Sequence, residues 1–146
     1  MKNAFRDTFF RGAMHAVLIG SDMPDLPGSF IDEAFVSLKH HDAVLGPSHD
    51  GGYYLIGFRS DSFLPEAFDG IKWSTPVVFE QTLSILDASK YRVHMLQKHR
   101  DIDTFDDLGA FFRDNLSASP ARSATVEYIR SHIPGISQDL RYEHKI

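Results

Sequence analysis

Apolar positions along the chain fall into two registers. Phe5, Phe9, Phe10 and Met14 recur with helix-like spacing, interrupted at Gly12. Ala16 to Ile19 is a short, wholly apolar run that predicts a buried strand. It ends in Gly20-Ser21-Asp22-Met23-Pro24-Asp25-Leu26-Pro27-Gly28, a loop whose prolines forbid regular structure. Ser29, with Asp32 three residues on, has the form of a capping box and predicts a helix. That helix should carry Phe30, Ala34, Phe35 and Leu38 on one face and end near His40. Ala43 to Gly46 and Tyr53 to Phe58 predict two further strands, joined by Pro47-Ser48-His49-Asp50-Gly51-Gly52. A second helix is expected after Trp73-Ser74-Thr75-Pro76, with Pro76 in its first turn, where a missing N–H does no harm. Tyr91 to Leu96 predicts another strand, and a helix follows through Phe111 and Phe112. Ser117 to Ala121 is linker-like, Val126, Tyr128 and Ile129 mark a last amphipathic helix, and a polar tail starts near Pro134. Strands alternating with helices predict an α/β domain with a largely parallel sheet, which binds ligands beyond the carboxyl ends of its strands.

Composition narrows the function classes. The 146 residues are 42% hydrophobic, as expected of one globular domain. Residues 1–116 are expected to form it, with 117–146 adding a linker, a C-terminal helix and the polar tail. There is no cysteine, so disulfides, thiolate zinc sites and cysteine nucleophiles are excluded. Fifteen basic against twenty acidic residues give a formal charge of −5, which argues against a surface that neutralises nucleic-acid phosphates. No apolar run approaches a membrane span, and the N-terminus lacks a signal-peptide pattern, so a cytoplasmic protein is expected.

Three segments have the residue types for chemistry. Asp22 and Asp25 lie just beyond a buried strand in a proline-stiffened loop, which suits a hard cation such as Mg²⁺ or Mn²⁺. They also suit a turn in which each bonds its own backbone. Asp50-Gly51-Gly52-Tyr53 is a hairpin signal, yet two glycines also let a backbone approach a sugar or phosphate closely. In Arg100-Asp101-Ile102-Asp103-Thr104, Thr104 and Asp107 have capping-box spacing. Asp101 and Asp103 are left for either a metal or the favourable N-terminal end of a helix. Asp101-Ile102-Asp103-Thr104 suggests the Asp-x-Asp-x-Thr-type start of a haloacid-dehalogenase phosphatase, but four polar residues separate Asp101 from the preceding strand, and the later motifs of that fold would need more chain than follows. The eight histidines lack zinc-ligand spacing, and no nucleophile elbow, Walker loop or dinucleotide fingerprint occurs. Phe9-Phe10 and Phe111-Phe112 are expected in the core. Trp73 is expected either to staple onto Val78 around a Ser74 cap or to line a pocket.

The order of these motifs is more specific than any one of them. Val17-Leu18-Ile19-Gly20-Ser21-Asp22-Met23-Pro24-Asp25-Leu26, then Asp50-Gly51-Gly52-Tyr53-Tyr54-Leu55-Ile56-Gly57, Trp73-Ser74-Thr75-Pro76 and Asp101-Ile102-Asp103-Thr104 resemble one family. It is the uncharacterised glycosyltransferase-like family of the nucleotide-diphospho-sugar transferase superfamily. The resemblance implies a partial GT-A-like, three-layer α/β/α domain with a mixed, mostly parallel sheet, lacking the usual N-terminal nucleotide-binding segment. It implies a metal-dependent glycosyl- or nucleotidyltransferase using Mg²⁺ or Mn²⁺, a nucleotide or nucleotide-sugar donor and an acceptor it does not identify. Asp22 and Asp103 match metal-binding, catalytic carboxylates; Asp50, Gly51, Gly52 and Tyr53 match a substrate-facing loop; Trp73 and Ser74 match a motif assigned here to substrate binding. The alternative is a non-catalytic remnant that serves as a binding or assembly module. A sheet without its first strands would expose an edge, so a homo-oligomer is expected, and a monodisperse monomer would count against it.

Overall fold

A computed structural model describes residues 1–117 and 124–133. Two compact units divide the chain, Met1–Asp101 and Ile102–Ile146. In the first, helix α1 (Lys2–Phe10) leads into strand β1 (His15–Ile19), helix α2 (Gly28–Ser37), strands β2 (Ala43–Pro47) and β3 (Tyr53–Arg59), helix α3 (Val78–Ala88) and strand β4 (Val93–Met95). Two short 3-10 turns, Ser60–Ser62 and Pro65–Phe68, lie between β3 and α3.

The four strands form one mixed sheet in the order β1-β3-β2-β4. β3 pairs antiparallel with both β1 and β2, and β2 pairs parallel with β4. Three strands therefore run in one direction, with β3 inserted against them. The tight β2–β3 connection is the hairpin that Asp50-Gly51 predicts. Because β1, β2 and β4 are co-directional, their carboxyl ends, and the loops carrying Asp22, Asp50 and Asp101, emerge at one edge.

Alternating strand residues bury both faces, as a sheet covered by helices requires. On one face Ala16, Ala43, Leu45, Ile56 and Phe58 pack with Phe5 of α1, with Ala67 and Phe68, and with Leu86 of α3. On the other, Val44 and Leu55 pack with Ala34 of α2, with Leu38 at its C-cap, and with Met23, Tyr54 and Leu96. This is the expected α/β/α layering.

Several local expectations are corrected. α2 starts at Gly28 on a Pro27 N-cap with no side-chain capping bond, so Ser29 and Asp32 form no capping box, and it ends at Ser37 rather than near His40. Proline fixes the N-cap backbone in the extended region, which leaves Ser29 already inside the first turn. Phe35 lies outside the buried face, as do Phe10 and Met14, which are 93% and 68% exposed. α3 starts at Val78 on Val77, so Pro76 lies before the helix rather than in its first turn. Ser74 is consequently no cap, and Trp73 belongs to neither core cluster of this unit. The strand expected over Tyr91–Leu96 is confined to Val93–Met95.

In the second unit, α4 (Phe105–Ser117) and α5 (Ala124–His132) bury Phe111, Phe112, Val126 and Ile129 together. The Thr104 and Asp107 capping box forms as expected. The Asp107 backbone N–H donates to Thr104 Oγ1 at 3.2 Å, and the Thr104 N–H donates to Asp107 Oδ2 at 3.0 Å. Tyr128 is exposed. Most of the linker expected at 117–121 and the polar tail lie outside the described residues. Among the described residues no helix is long and apolar enough to cross a membrane.

Candidate functional site

The site is built from the loops at the carboxyl edge of the sheet. Gly20 continues the β1–β3 ladder, its N–H donating to the Tyr54 carbonyl at 2.9 Å. The Asp22 side chain folds back over Gly20 so closely that a Cβ there would sit 2.5 Å from Asp22 Oδ1. Glycine at 20 thus lets the exposed Asp22 carboxylate fold back over the strand end. The loop does turn, with the Leu26 N–H bonding the Met23 carbonyl at 3.1 Å, while the Asp25 carboxylate meets His99.

Asp50 is oriented by its own turn. The Ser48 hydroxyl and the Gly52 N–H both donate to its Oδ1, the second at 2.8 Å, an arrangement that ties the carboxylate to the backbone two residues on. Partial burial pushes its pKa up. The hydrogen bonds from Ser48, Gly52 and its own N–H, with the charge of Lys98, outweigh that and hold it below the ordinary value. A depressed folded pKa stabilises the native state fully above the ordinary carboxylate value of about 3.9, and the contribution is lost as pH falls through the folded value. Melting temperatures taken from pH 6 to pH 3 should therefore fall less steeply for Asp50→Asn than for the wild type. Identical acid slopes would refute that role.

Within the first unit, Asp50 and Asp101 offer carboxylate oxygens within 4.8 Å of each other. A hard divalent cation takes one or two carboxylates, at 2.0–2.1 Å for Mg²⁺, and fills its other positions with water and phosphate oxygens, and these two carboxylates are near enough to be drawn onto one ion. Asp22 is not part of this group. Asp103 is two residues farther along the chain, exposed, and belongs to the second unit.

Both glycines of the turn have packing reasons. Gly51 adopts φ +91°, and a Cβ there would lie 2.1 Å from the Pro76 carbonyl oxygen. Its own carbonyl accepts the Phe79 N–H at 2.9 Å. A Cβ on Gly52 would press on Ser48 Oγ and Asp50 Oδ1 at 3.1 and 3.2 Å. Tyr53 packs against the core cluster beneath α1 and α3, and burial pushes its hydroxyl up to about 12. Trp73 and Ser74 sit on the segment that Pro76 clamps to this turn. Trp73 is 43% exposed and Ser74 adopts φ 59°.

His99 and Asp25 form a contact that spacing did not reveal. The Asp25 carboxylate lies 3.3 Å from His99 Nε2, and the ring meets Phe30 and Tyr54 edge-on. The His99 N–H extends the β2 pairing by donating to the Pro47 carbonyl at 3.1 Å. Tyr54 supports the same strand exit, its hydroxyl donating to the Gln97 carbonyl at 2.9 Å. Its ring crosses β2 only because position 46 is glycine, where a Cβ would come within 2.5 Å of the ring. The partners are 74 residues apart in sequence, so only the fold brings them together.

Residues 1–75 match the model of a family described as "Uncharacterized protein conserved in bacteria (DUF2064)". The chain belongs to this family. A solved structure from Desulfovibrio desulfuricans G20, of a protein described as a candidate nucleotide-diphospho-sugar transferase, is 41% identical to the chain, with a TM-score of 0.89. The match covers 94% of this chain and 60% of that one, so the chain spans under two thirds of that relative's length. No curated protein matches the chain.

Proposed function

We propose that this family member binds a nucleotide-sugar donor with a divalent cation and serves glycosyl or nucleotidyl transfer. The observation that supports this reading is the convergence of Asp50 and Asp101 at the carboxyl edge of the sheet. It occurs in a chain similar over most of its length to a protein described as a candidate transferase of that kind. Mg²⁺ or Mn²⁺, when bound, would withdraw charge from diphosphate oxygens and stabilise the leaving group. Asp50 and Asp101 would hold it, with Asp22 as a further carboxylate at the same edge. Asp103 enters the proposal on its match to the family's metal-binding carboxylate. The Ser48 hydroxyl and Gly52 N–H fix the Asp50 carboxylate, the outer support that cation ligands require. The Asp50–Gly52 turn enters the proposal on its match to the family's substrate-facing loop, since the space beside Gly51 and Gly52 is taken by Pro76, Ser48 and Asp50 itself. Tyr53 contributes to that loop from the core side.

Calorimetric titration of Asp22→Asn, Asp101→Asn and Asp103→Asn with UDP-glucose and GDP-mannose plus Mn²⁺ tests the assignment. Each loss of a ligand should weaken metal-dependent binding about tenfold or more, with melting temperatures held close to wild type. Wild-type affinity in all three variants would overturn it.

A further inference from the structure

We infer that Trp73 is a carbohydrate platform, stacking on the sugar ring of the donor rather than on its base; this rests on the transferase reading above. Trp73 is the chain's single tryptophan and is 43% exposed, although the sequence around it is tightly built. Its N–H bonds the Ile71 carbonyl at 3.0 Å. Thr75 Oγ1 donates to the Lys72 carbonyl at 2.5 Å, and the Lys72 N–H donates to Gln81 Oε1 on α3 at 2.9 Å. Between these bonds Ser74 is held at φ 59°, a conformation that a residue with a Cβ takes only under constraint. The surrounding bonds thus fix the segment that presents a large apolar ring to solvent, where a hydrophobic staple would have buried it.

The second observation is where this loop is anchored. Pro76, three residues after Trp73, abuts Gly51 so closely that no side chain fits between them. The Phe79 N–H bonds the Gly51 carbonyl at 2.9 Å. Three residues of extended chain reach at most about 11 Å, so the Trp73 backbone lies within that distance of the residue clamped to the Asp50–Gly52 turn.

An aromatic face on a loop anchored to a carboxylate-bearing turn has the chemistry that recognises a pyranose. The indole covers the apolar C–H face, and carboxylate and backbone oxygens accept from hydroxyls.

Because Trp73 is the only tryptophan, its emission reports the contact directly. The full chain, with Mg²⁺, is titrated with UDP-glucose, GDP-mannose, UDP and GDP, following tryptophan emission and acrylamide quenching beside calorimetric heat. The sugar nucleotides should shift the emission and protect the indole, whereas UDP and GDP should bind with the indole still open to acrylamide. Trp73→Ala should lose about tenfold in sugar-nucleotide affinity, Trp73→Phe should recover most of it, and both should bind UDP and GDP as the wild type does. Calorimetric binding of the sugar nucleotides with unchanged emission would overturn the platform and leave the transferase reading intact. Equal protection by UDP and UDP-glucose would assign the ring to the base and overturn it too. No heat with any of the four would overturn both readings together.

Discussion

Gly51→Ala is expected to destabilise the protein by about 3 kcal/mol and to disorganise the Asp50 turn with it. Two costs combine. The backbone at φ +91° is unfavourable for any residue with a Cβ, a penalty of about 1–3 kcal/mol. The added methyl would also sit 2.1 Å from a backbone carbonyl, that of Pro76, which cannot swing aside as a side-chain tip can. For a chain of this size the sum corresponds to a fall in melting temperature of about 6–12 °C. Gly70→Ala is the matched control, because Gly70 also has positive φ, +70°, but a Cβ there meets nothing within 4 Å. It should cost about 1 kcal/mol. Equal losses in the two variants would show that the Gly51–Pro76 contact does not matter.

Phe58→Ala should cost about 4 kcal/mol, the largest effect of any single truncation argued here. Phe58 is fully buried on β3, the strand that pairs on both sides. Its ring meets Phe5 at 5.4 Å and Phe63 at 5.5 Å, both near perpendicular. The variant therefore loses transfer energy, leaves a cavity beneath α1, and removes edge-to-face contacts worth about 0.5–1.5 kcal/mol each. Phe10→Ala changes the same residue type where it is 93% exposed, and should stay within about 0.5 kcal/mol of wild type. A melting-temperature fall under 4 °C for Phe58→Ala would mean that this aromatic cluster does not hold α1 to the sheet.

The contrast between these two phenylalanines shows what the sequence could reveal. Strands β1, β2 and β3 were readable because their apolar runs are continuous and bounded by glycine, proline and aspartate. The β2–β3 hairpin and the Thr104–Asp107 capping box were readable because their chemistry is local, within three or four residues. Phe9-Phe10 looked alike in sequence, yet helical geometry turns Phe9 toward the core and Phe10 away. The α2 start was misplaced because Pro27 supplies an extended N-cap backbone that Ser29 would otherwise have provided. Asp101 and Asp103 were indistinguishable by spacing, and the Asp50–Asp101 approach arises only when β2 and β4 pair. The His99–Asp25 contact has the same origin, since nothing within either segment encodes the other.

On the proposed reading, the loops at the carboxyl edge of the sheet bind a nucleotide sugar through a divalent cation. Calorimetric titration of the wild-type chain with UDP-glucose and GDP-mannose, with Mn²⁺ and with the metal chelated, tests it most directly. Saturable binding of at least one donor that disappears on chelation is the predicted result. Binding of equal strength without metal, or no binding by a chain that melts cooperatively, would contradict it.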